Sequence, residues 1–324
     1  MRHLAKWGRR QGISCFRLYH RDIPDYPAII DWYGDEHATD LARDGDAIVW
    51  IFDRTKDETP EARDAHERDL CVQVLDGLGI DRTRVHIKRR SRQRAETGGR
   101  AQYERTSSQH TTKIVQEHDL RYEVNLSDYL DVGLFLDHRP LRQMLRERSA
   151  GKRVLNLFGY TGAFSVCARA GGAKITTTVD LSGTYLDWYR RNLQLNGFDT
   201  NDQHLSLHTD CVQWLDQHPP ERERYDIVVL DPPTFSNSKR MLTSSFSIDR
   251  DATNLLTCAA RFVAPKGELF FSTNARGFSL EDATIPAGFG CREITNRTVP
   301  DDFRHKTIHR CWRLAEGWKT DTSA

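Results

Sequence analysis

From about residue 140 onward, short apolar runs alternate with longer stretches in which apolar residues recur at helical spacing. Apolar runs bounded by turn residues indicate strands, and the periodic stretches between them indicate helices. The predicted strands cover 153–157, 173–179, 204–208, 225–230 and 268–272, with two late candidates at 291–297 and 306–314. The predicted helices cover 161–170, 184–195, 211–217 and 249–263. This alternation predicts an α/β fold with a mostly parallel sheet.

The first hundred residues have a different pattern, which predicts a small α+β unit. A short basic helix, three strands and a longer helix are predicted at 2–11, 13–19, 28–33, 47–52 and 60–78. Gly77 and Gly79 end the longer helix, since glycine is the usual residue just past a helix. Further along, strands at 113–118 and 122–126 predict a β-hairpin that turns at Asp119.

These patterns divide the chain into four predicted segments. They are a small α+β domain at 1–87, a basic arm with a β-hairpin linker at 88–136, an α/β domain at 137–316 and a tail at 317–324. The arm carries six basic residues and one acid between 88 and 100, although the net charge of the chain is only +1. Two interpretations stay open, a solvated loop and a phosphate-binding arm. The candidate phosphate contacts are Lys88, Arg89, Arg90, Arg92 and Arg94.

The cysteines and the apolar runs indicate a cytoplasmic protein. The seven cysteines form no CxxC pair, and their odd number is typical of a reducing compartment rather than of a disulfide framework. The basic N-terminus lacks the apolar core of a signal peptide, and no apolar run is long enough to cross a bilayer. We therefore expect no membrane partner.

Three features at successive strand ends predict a nucleotide-like ligand. The run Phe158-Gly159-Tyr160-Thr161-Gly162 follows the first strand of the α/β region, Asp180 ends the second, and Asp210 follows the third. Carboxyl ends of neighbouring parallel strands meet at one edge of a sheet, where a carboxylate can accept ribose hydroxyls or an adenine amino group. Each feature alone is also explained by a turn glycine or a helix-capping aspartate. Their register favours the ligand.

The spacing of the glycines argues against a dinucleotide. A G-x-G-x-x-G motif would favour a pyrophosphate, whereas this turn has only two glycines with bulky neighbours. The pattern is typical of a ligand without a pyrophosphate, such as S-adenosylmethionine (SAM).

Residues from about 125 to 312 resemble the class I SAM-dependent RNA methyltransferases. Within that family, the resemblance is to the guanine-N7 half of the bifunctional large-subunit ribosomal RNA methyltransferases, and the first hundred residues resemble the segment before it more loosely. The motifs that carry the resemblance are VNLSDYLD (124–131), GLFLDHR (133–139), NLFGYTG (156–162), TTTVD (176–180), DPPTFSNSKRM (231–241) and IHRCW (308–312).

The resemblance implies a Rossmann-like sheet with an antiparallel C-terminal strand, SAM as the cofactor and guanine-N7 methylation of 23S ribosomal RNA. It implies cofactor contacts from Arg139, Asn156, Phe158, Gly159, Tyr160, Thr161, Gly162, Asp180, Leu181, Ser182, Asp210, Cys211 and Asp231. The bifunctional relatives also carry an RNA-binding THUMP domain and a second methyltransferase ahead of this unit, and the present sequence contains neither. A separate THUMP-containing methyltransferase is therefore a candidate partner.

The Asp231-Pro232-Pro233 turn after the fourth strand is the predicted catalytic rim. The two prolines remove amide hydrogens and stiffen the turn, and the Asp231 carboxylate can accept from the N1–H and N2–H groups of guanine. The residues expected to contact the base or its phosphate are Thr234, Phe235, Asn237, Lys239 and Arg240. Guanine N7 already carries a lone pair, so we expect direct in-line attack on the sulfonium methyl without a general base. A loop that only turns the chain is the alternative.

Three other functions are less compatible with the sequence. Cytosine-C5 methylation needs a cysteine nucleophile, and none follows either the fifth strand or the Asp-Pro-Pro turn. A nicotinamide-dependent oxidoreductase would need the third glycine. A non-catalytic RNA-binding module would not need Asp180 and Asp210. His305 and His309 lack clustered acidic or cysteine partners, so we expect a surface or structural role for them and no metal.

Overall fold

The computed structural model describes residues 2–35, 37–38, 40, 43–52, 59–90, 110–199, 203–216, 223–236, 245–280 and 285–320. Internal contacts divide the chain into an N-terminal unit, Met1–Leu136 with Asp301–His305, and a C-terminal unit, Asp137–Pro300 with Lys306–Ala324. The four segments expected from the sequence stay a prediction.

The N-terminal unit is built around a four-stranded sheet. Its elements are α1 (Arg2–Gln11), β1 (Cys15–His20), β2 (Ala28–Gly34), β3 (Gly45–Phe52), α2 (Pro60–Leu78), β4 (Val85–Arg90), β5 (Thr112–Glu117) and β6 (Leu120–Asn125). The sheet order is β1-β2-β3-β4, in which β4 runs parallel to β3 and the other neighbours are antiparallel. The predicted hairpin is confirmed as β5 and β6.

Strand β4 was not predicted, because its residues were assigned in part to the basic arm. Val85 and Ile87 alternate with polar residues, which is the pattern of a strand with one face on the core. Their backbone pairs with Ala47 and Val49 of the central strand β3. The arm segment therefore begins as sheet.

Helix α2 begins and ends at the predicted residues, and local capping interactions explain both ends. Thr59 Oγ1 accepts a hydrogen bond from the backbone N–H of Ala62, and Pro60 occupies the first turn, where its missing amide hydrogen costs nothing. Gly79 ends the helix in the left-handed conformation, with φ of 65°. Leu70 and Val74 bury the inner face of the helix against the sheet.

The C-terminal unit contains a seven-stranded sheet and its covering helices. Its helices are α3 (Arg139–Arg148), α4 (Ala163–Ala170), α5 (Gly183–Leu195), α6 (Cys211–Asp216), α7 (Ile248–Ala260) and α8 (Thr295–Thr298). Its strands are β7 (Arg153–Leu157), β8 (Ile175–Asp180), β9 (His204–His208), β10 (Tyr225–Leu230), β11 (Phe235–Ser236), β12 (Phe246–Ser247), β13 (Val263–Thr273), β14 (Phe289–Glu293) and β15 (Arg310–Glu316). Strands β11 and β12 form a separate antiparallel pair.

The sheet order is β14-β15-β13-β10-β7-β8-β9. The five strands from β13 to β9 are parallel, and β15 is antiparallel to both of its neighbours. This confirms the predicted fold class, including the antiparallel C-terminal strand.

The two late strands differ from their predicted bounds. The predicted strand at 291–297 ends early, because β14 stops at Glu293 and Thr295–Thr298 forms the short helix α8. The predicted strand at 306–314 starts late, at Arg310. Pairing with β15 determines where β14 ends, and such a tertiary limit leaves no local signal in the sequence.

Alternate residues of the central strands enter two different cores. Leu155, Leu157 and Val228 pack on one face with α7, while Val154 and Val229 pack on the other with α3 and α4. Strands buried on both faces read as continuous apolar runs, which is why they were visible in the sequence. In the described part of the chain, no helix has both the length and the apolar character needed to cross a membrane.

Candidate active site

The turn after β7 lies where the strand order of the sheet reverses, between β8 and β10. Ligands of open α/β sheets bind beyond the carboxyl ends of the strands at such a point. Phe158, Tyr160 and Gly162 have positive φ angles of 54°, 50° and 73°. Such a conformation costs on the order of 1–3 kcal/mol for a residue with a side chain, and it clusters at functional sites. The surrounding structure therefore holds this turn in shape.

Glycines 159 and 162 are required by packing inside the unit. A Cβ on Gly162 would lie 1.9 Å from Cδ2 of Tyr189, and one on Gly159 would lie 2.3 Å from Cγ2 of Thr178. Glycine in such a turn can also let the backbone approach a ligand closely. In the structure, the close approach is to the protein's own side chains.

Asp180 ends β8 directly beside this turn. Its two carboxylate oxygens accept hydrogen bonds from the backbone N–H groups of Tyr160 and Ser182, both at 2.8 Å. The residue is only 9% exposed, and this burial raises the pKa of Asp180 to about 6. The carboxylate thus joins the ends of β7 and β8 and titrates close to neutral pH.

Buried polar side chains support the turn from below. Asn156 Nδ2 donates to Ser165 Oγ at 3.0 Å, and that hydroxyl lies 2.7 Å from Thr178 Oγ1. The carbonyl of Thr161 accepts from Nδ2 of Asn192 at 3.0 Å. Asn156 and Thr161 therefore have structural partners inside the unit, and their contact with a cofactor stays a prediction.

The next predicted residues after Asp180 belong to the start of α5. Ser182 Oγ accepts from the backbone N–H of Tyr185 at 3.3 Å and caps the helix. The carbonyl of Leu181 lies 3.0 Å from Nε2 of His208. Both residues lie beside the Asp180 carboxylate.

Asp210 and Cys211 form the start of α6. Asp210 Oδ1 accepts from the backbone N–H groups of Val212 and Gln213, at 2.8 and 3.3 Å, so the capping alternative is present in the structure. The Cys211 thiol is buried, and its Sγ accepts from the backbone N–H of Phe158 at 3.2 Å. Burial raises the pKa of Cys211 well above its ordinary value, so the thiol is protonated.

The Asp-Pro-Pro turn leaves β10 next to β13. Asp231 Oδ1 accepts from Oγ of Ser272 at 2.5 Å. Pro232 is buried and Pro233 half-buried. Along the rim, Thr234 is exposed and donates to Asn274 Oδ1 at 2.8 Å, and Phe235 pairs with Ser247 across β11 and β12. Asn237, Lys239 and Arg240 lie outside the described residues.

A buried cluster of two histidines and an aspartate lies against Asp231. His138 Nε2 lies 3.5 Å from Oδ2 of Asp231, and the His138 ring stacks on His309 with centroids 4.4 Å apart. His309 Nδ1 lies 3.1 Å from Oδ2 of Asp137, and its Nε2 lies 2.9 Å from Thr298 Oγ1. The expectation that His309 lacks an acidic partner is therefore wrong. The partner is 172 residues away in the chain.

The environment of this cluster favours a neutral imidazole at His138. Burial lowers the pKa of His138, and the Asp231 carboxylate opposes that effect less strongly. Ligand atoms of Asp137, His138 and His309 lie within 4.8 Å of one another, so the cluster is able to hold a metal ion. The expected absence of a metal stays a prediction. Arg139, the first residue of α3, is also buried here, with 3% exposed.

The described part of the basic arm belongs to the N-terminal unit. Lys88 is buried, and its Nζ donates to the carbonyls of Tyr129 and Leu130. Arg89 pairs with Glu67 and Asp64, at 2.6 and 2.7 Å. Arg90 is the last residue of β4, and Arg92 and Arg94 lie outside the described residues. Phosphate binding by these side chains stays a prediction.

A family model described as S-adenosylmethionine-dependent methyltransferase matches residues 38–287 of the chain. The chain belongs to this family. The methyltransferase therefore uses SAM as its cofactor, as the resemblance implies.

Curated relatives extend the similarity across the whole methyltransferase. "Ribosomal RNA large subunit methyltransferase K/L" of Pseudomonas aeruginosa is 45% identical over 97% of this chain, which spans 41% of that protein. "Ribosomal RNA large subunit methyltransferase K" of Neisseria meningitidis is 41% identical over 97% of this chain and 84% of that protein. The chain thus spans about two fifths of the length of the K/L relative.

Solved structures support the fold. The crystal structure of SMU.776 complexed with SAH (S-adenosylhomocysteine) is 22% identical, with a TM-score of 0.68 over 96% of this chain and 80% of that one. A SAM-dependent methyltransferase from Agrobacterium tumefaciens is 17% identical, with a TM-score of 0.57 over 90% of this chain and 88% of that one.

Proposed function

We propose that this methyltransferase transfers a methyl group from SAM to N7 of a guanine in 23S ribosomal RNA. The observation that carries the proposal is the similarity to K and K/L proteins over 97% of the chain, because both names specify the large-subunit ribosomal RNA. The arrangement of Asp231, His138 and the proline turn supports the choice of guanine N7.

The carboxyl ends of β7, β8 and β9 have groups that fit SAM. A carboxylate offers roughly four lone-pair positions, and backbone groups use only one on each oxygen of Asp180. The remaining positions are available for the two ribose hydroxyls. Asp210 has one oxygen on the α6 backbone, which leaves the other for the adenine amino group. When bound, SAM supplies a methyl group on a positively charged sulfur.

The rim beyond β10 is expected to hold the guanine. Pro232 and Pro233 stiffen the turn, and the Asp231 carboxylate accepts from the Watson–Crick edge of the base or faces its positive charge. Guanine N7 attacks the methyl carbon with its lone pair, the carbon–sulfur bond breaks, and its electron pair stays on sulfur. No proton moves. Catalysis then consists of positioning, which in well-ordered cases supplies about 7–11 kcal/mol, and of charge stabilisation.

A neutral imidazole at His138 leaves the charge of the Asp231 carboxylate without a nearby positive charge from this histidine. A protonated imidazole at 3.5 Å would compensate the carboxylate before the reaction begins. Because burial lowers the pKa of His138, the imidazole is neutral near pH 7 and adds no positive charge beside the Asp231 carboxylate. The charge of that carboxylate is then available to stabilise the cationic 7-methylguanine as it forms.

The cysteines near the site argue against cytosine-C5 methylation. Cys311 is fully buried, and burial together with the nearby Asp231 raises its pKa well above the ordinary value. Cys211 is protonated for the same main reason, burial. A C5 methyltransferase needs an accessible thiolate to attack the base. Neither thiol meets that need.

The decisive experiment is product analysis. The purified chain is incubated with SAM and unmodified 23S ribosomal RNA, and the RNA is digested to nucleosides for mass spectrometry. We expect 7-methylguanosine. Formation of 5-methylcytidine, or of a guanosine methylated at a nitrogen other than N7, would show that the proposed chemistry is wrong, and 16S ribosomal RNA is the control substrate.

The candidate partner, a separate THUMP-containing methyltransferase, stays a prediction that the same assay tests. We expect such a protein to raise the initial rate at limiting RNA, because a second RNA-binding surface increases the effective concentration of the substrate. An unchanged rate at limiting RNA would remove it as a partner in RNA capture.

A further inference from the structure

A basic groove runs along α1 of the N-terminal unit. It has a volume of about 710 Å³ and is lined by residues of the helix together with Asp40 and Arg43. The buried residue Ala5 also lines the groove. Leu4 and Trp7 of the same helix pack against the core of the unit. The charged residues that line this α1 groove are Arg2, Lys6, Arg9, Arg10, Arg43 and Asp40.

The cations of the α1 groove are mostly not compensated. Arg9 lies 4.0 Å and Arg43 lies 3.8 Å from the single carboxylate of Asp40, with the two cationic side chains 62% and 83% exposed. Such exposed pairs contribute little. Among the residues that the structure describes, Arg2, Lys6 and Arg10 form no ion pair. Among the described residues that line it, the groove therefore presents five cationic side chains and one anionic side chain.

Two cations of the predicted basic arm, Lys88 and Arg89, are already engaged within the same unit. Lys88 is bonded to two carbonyls and Arg89 pairs with two carboxylates, so each would have to give up these partners to bind a phosphate. Arg2, Lys6 and Arg10 of the α1 groove would give up no ion pair with a described residue to bind a phosphate. The α1 groove contrasts with the near-neutral charge of the whole chain.

We propose that the α1 groove binds the phosphate backbone of the RNA substrate, an assignment that rests on the proposed function. Arg2, Lys6 and Arg10 are each four residues apart on one helix face. With a helical rise of about 1.5 Å per residue, they repeat every ~6 Å along the axis. A regular row of cations matches a polymer with regularly spaced negative charges. Four of the five cations are arginines, whose guanidinium groups bind phosphate in a bidentate manner.

The ligand is the backbone rather than the bases. None of the described residues that line the groove is aromatic, and Trp7 of α1 packs against the core of the unit instead. Stacking on a base needs an exposed aromatic face. The groove is therefore expected to add affinity without sequence preference.

The test compares three variants in fluorescence-anisotropy titrations with a labelled fragment of unmodified 23S ribosomal RNA. The first replaces Arg2→Gln, Lys6→Gln and Arg10→Gln, since glutamine keeps the helix propensity and removes the charge. The second, Arg2→Lys with Arg10→Lys, keeps the charge. The matched control is Arg68→Gln, Lys174→Gln and Lys266→Gln, which removes three exposed cations outside the groove.

The glutamine triple variant should bind RNA roughly tenfold more weakly, and the slope of log affinity against log salt should fall by about 2, since each phosphate contact contributes about 0.7–0.9. The control should bind like the unmodified chain, and the charge-keeping variant should lose much less affinity than the glutamine variant, since lysine keeps the charge but not the bidentate geometry. Affinity for SAH should be unchanged in all of them. Unchanged RNA binding by the triple variant, or an equal loss in the control, would overturn the proposal.

Two further outcomes separate the groove from the reaction. Weakened RNA binding by the triple variant, in a chain that forms no 7-methylguanosine, would support the groove and contradict the proposed function. If the triple variant keeps its RNA affinity and forms 7-methylguanosine normally, the result would support the proposed function and contradict RNA binding by the groove. Equally tight binding of a poly-glutamate chain in the same groove would assign it to acidic peptides and overturn RNA as its ligand.

Discussion

Charged side chains are buried and hydrogen-bonded at the carboxyl ends of β7–β10, whereas in the α1 groove they are exposed and mostly lack ion-pair partners. At the strand ends, Asp180 and Asp210 are buried and each accepts two backbone hydrogen bonds. In the α1 groove, Arg2, Lys6 and Arg10 are exposed, and Asp40 is the one acidic side chain among the lining residues that the structure describes. The first arrangement fixes a few groups in place around a small ligand. The second presents charge to a long polyanion.

The difference follows from the kind of interaction that each ligand can form with charged groups. Burying a charge is costly unless hydrogen bonds satisfy it, and those same bonds hold the group rigidly. Rigid placement is useful for a ligand of fixed shape, where a small displacement lowers the rate. A flexible RNA strand instead releases counterions when it meets mobile cations, so the groove gains affinity without rigid geometry.

The largest effect expected from the comparison concerns the rigidity of the turn after β7. Gly162→Ala places a Cβ against the ring of Tyr189, and the alanine has to adopt the left-handed conformation that the glycine has at this position. We expect a loss of about 2–5 kcal/mol in the free energy of unfolding, combining overpacking with backbone strain. Urea denaturation measures it.

Gly197→Ala is the matched control for that substitution. Its φ of 70° is similar, but no atom lies within 4 Å of the added Cβ. We expect only the backbone cost, about 1–2 kcal/mol. Equal losses at the two positions would mean that packing under the turn is not what requires glycine.

The second effect concerns the charge at the rim. Asp231→Asn keeps the shape of the side chain and removes its negative charge, so kcat should fall roughly 100-fold if that charge stabilises the product cation. Affinities for SAH and RNA should fall much less than kcat, because asparagine keeps one acceptor oxygen at this position. Single-turnover kinetics measure the change, and the exposed Asp249→Asn serves as control. Full turnover by the Asp231 variant would remove its proposed role.

The third effect is a pH dependence of cofactor binding. The folded carboxyl of Asp180 has a pKa of about 6, above the value of 3.8 for an unperturbed aspartate. In the proposed site the ionised form accepts the ribose hydroxyls, so SAH affinity should fall as the pH drops below 6, approaching roughly tenfold per pH unit. Calorimetry between pH 5 and 7.5 measures it.

Asp180→Asn should bind SAH more weakly and with a flat pH profile, whereas Asp187→Asn, on the exposed side of α5, should keep the slope. The same raised pKa has a stability consequence. The folded form holds its proton to higher pH than the unfolded chain, so this group contributes less stability as the pH rises from about 4 to about 6. A slope retained in the Asp180 variant would assign the titration to another group.

The smallest effect separates the two regions by salt. SAH affinity should change by less than about twofold between about 50 and 200 mM salt, because buried charges are weakly screened. RNA affinity should fall steeply over the same range. Parallel titrations of both ligands in one salt series make the comparison, and equal salt dependence would contradict the distinction between the two regions.

Particular elements show what could be predicted from the sequence. β7, β9 and β10 begin and end at the predicted residues, because strands within a covered parallel sheet carry local apolar runs between polar turns. The strand-end features at Gly159, Asp180 and Asp231 were visible for the same reason. Each follows directly on a recognisable strand.

Other elements carry a weaker local signal. In Val85–Arg90 the short alternation of Val85 and Ile87 with polar residues runs into a series of cations, so the segment reads as the start of a charged arm, and its pairing with β3 identifies it as a strand. The pair β11 and β12 is too short to show a period. Lys88 looks like a free cation in the sequence, although the fold buries it against two carbonyls.

The sequence by itself determined the α/β alternation, the family and the strand ends at which a cofactor is expected, because these depend on residues close together in the chain. Tertiary structure alone decided that His309 meets Asp137 and His138 beside Asp231, and that the cations of α1 share a groove with Arg43. The physical reason is that burial, pKa and charge compensation depend on neighbours in space. Those neighbours are brought together by the order of the strands and the packing of the helices, which no local pattern encodes.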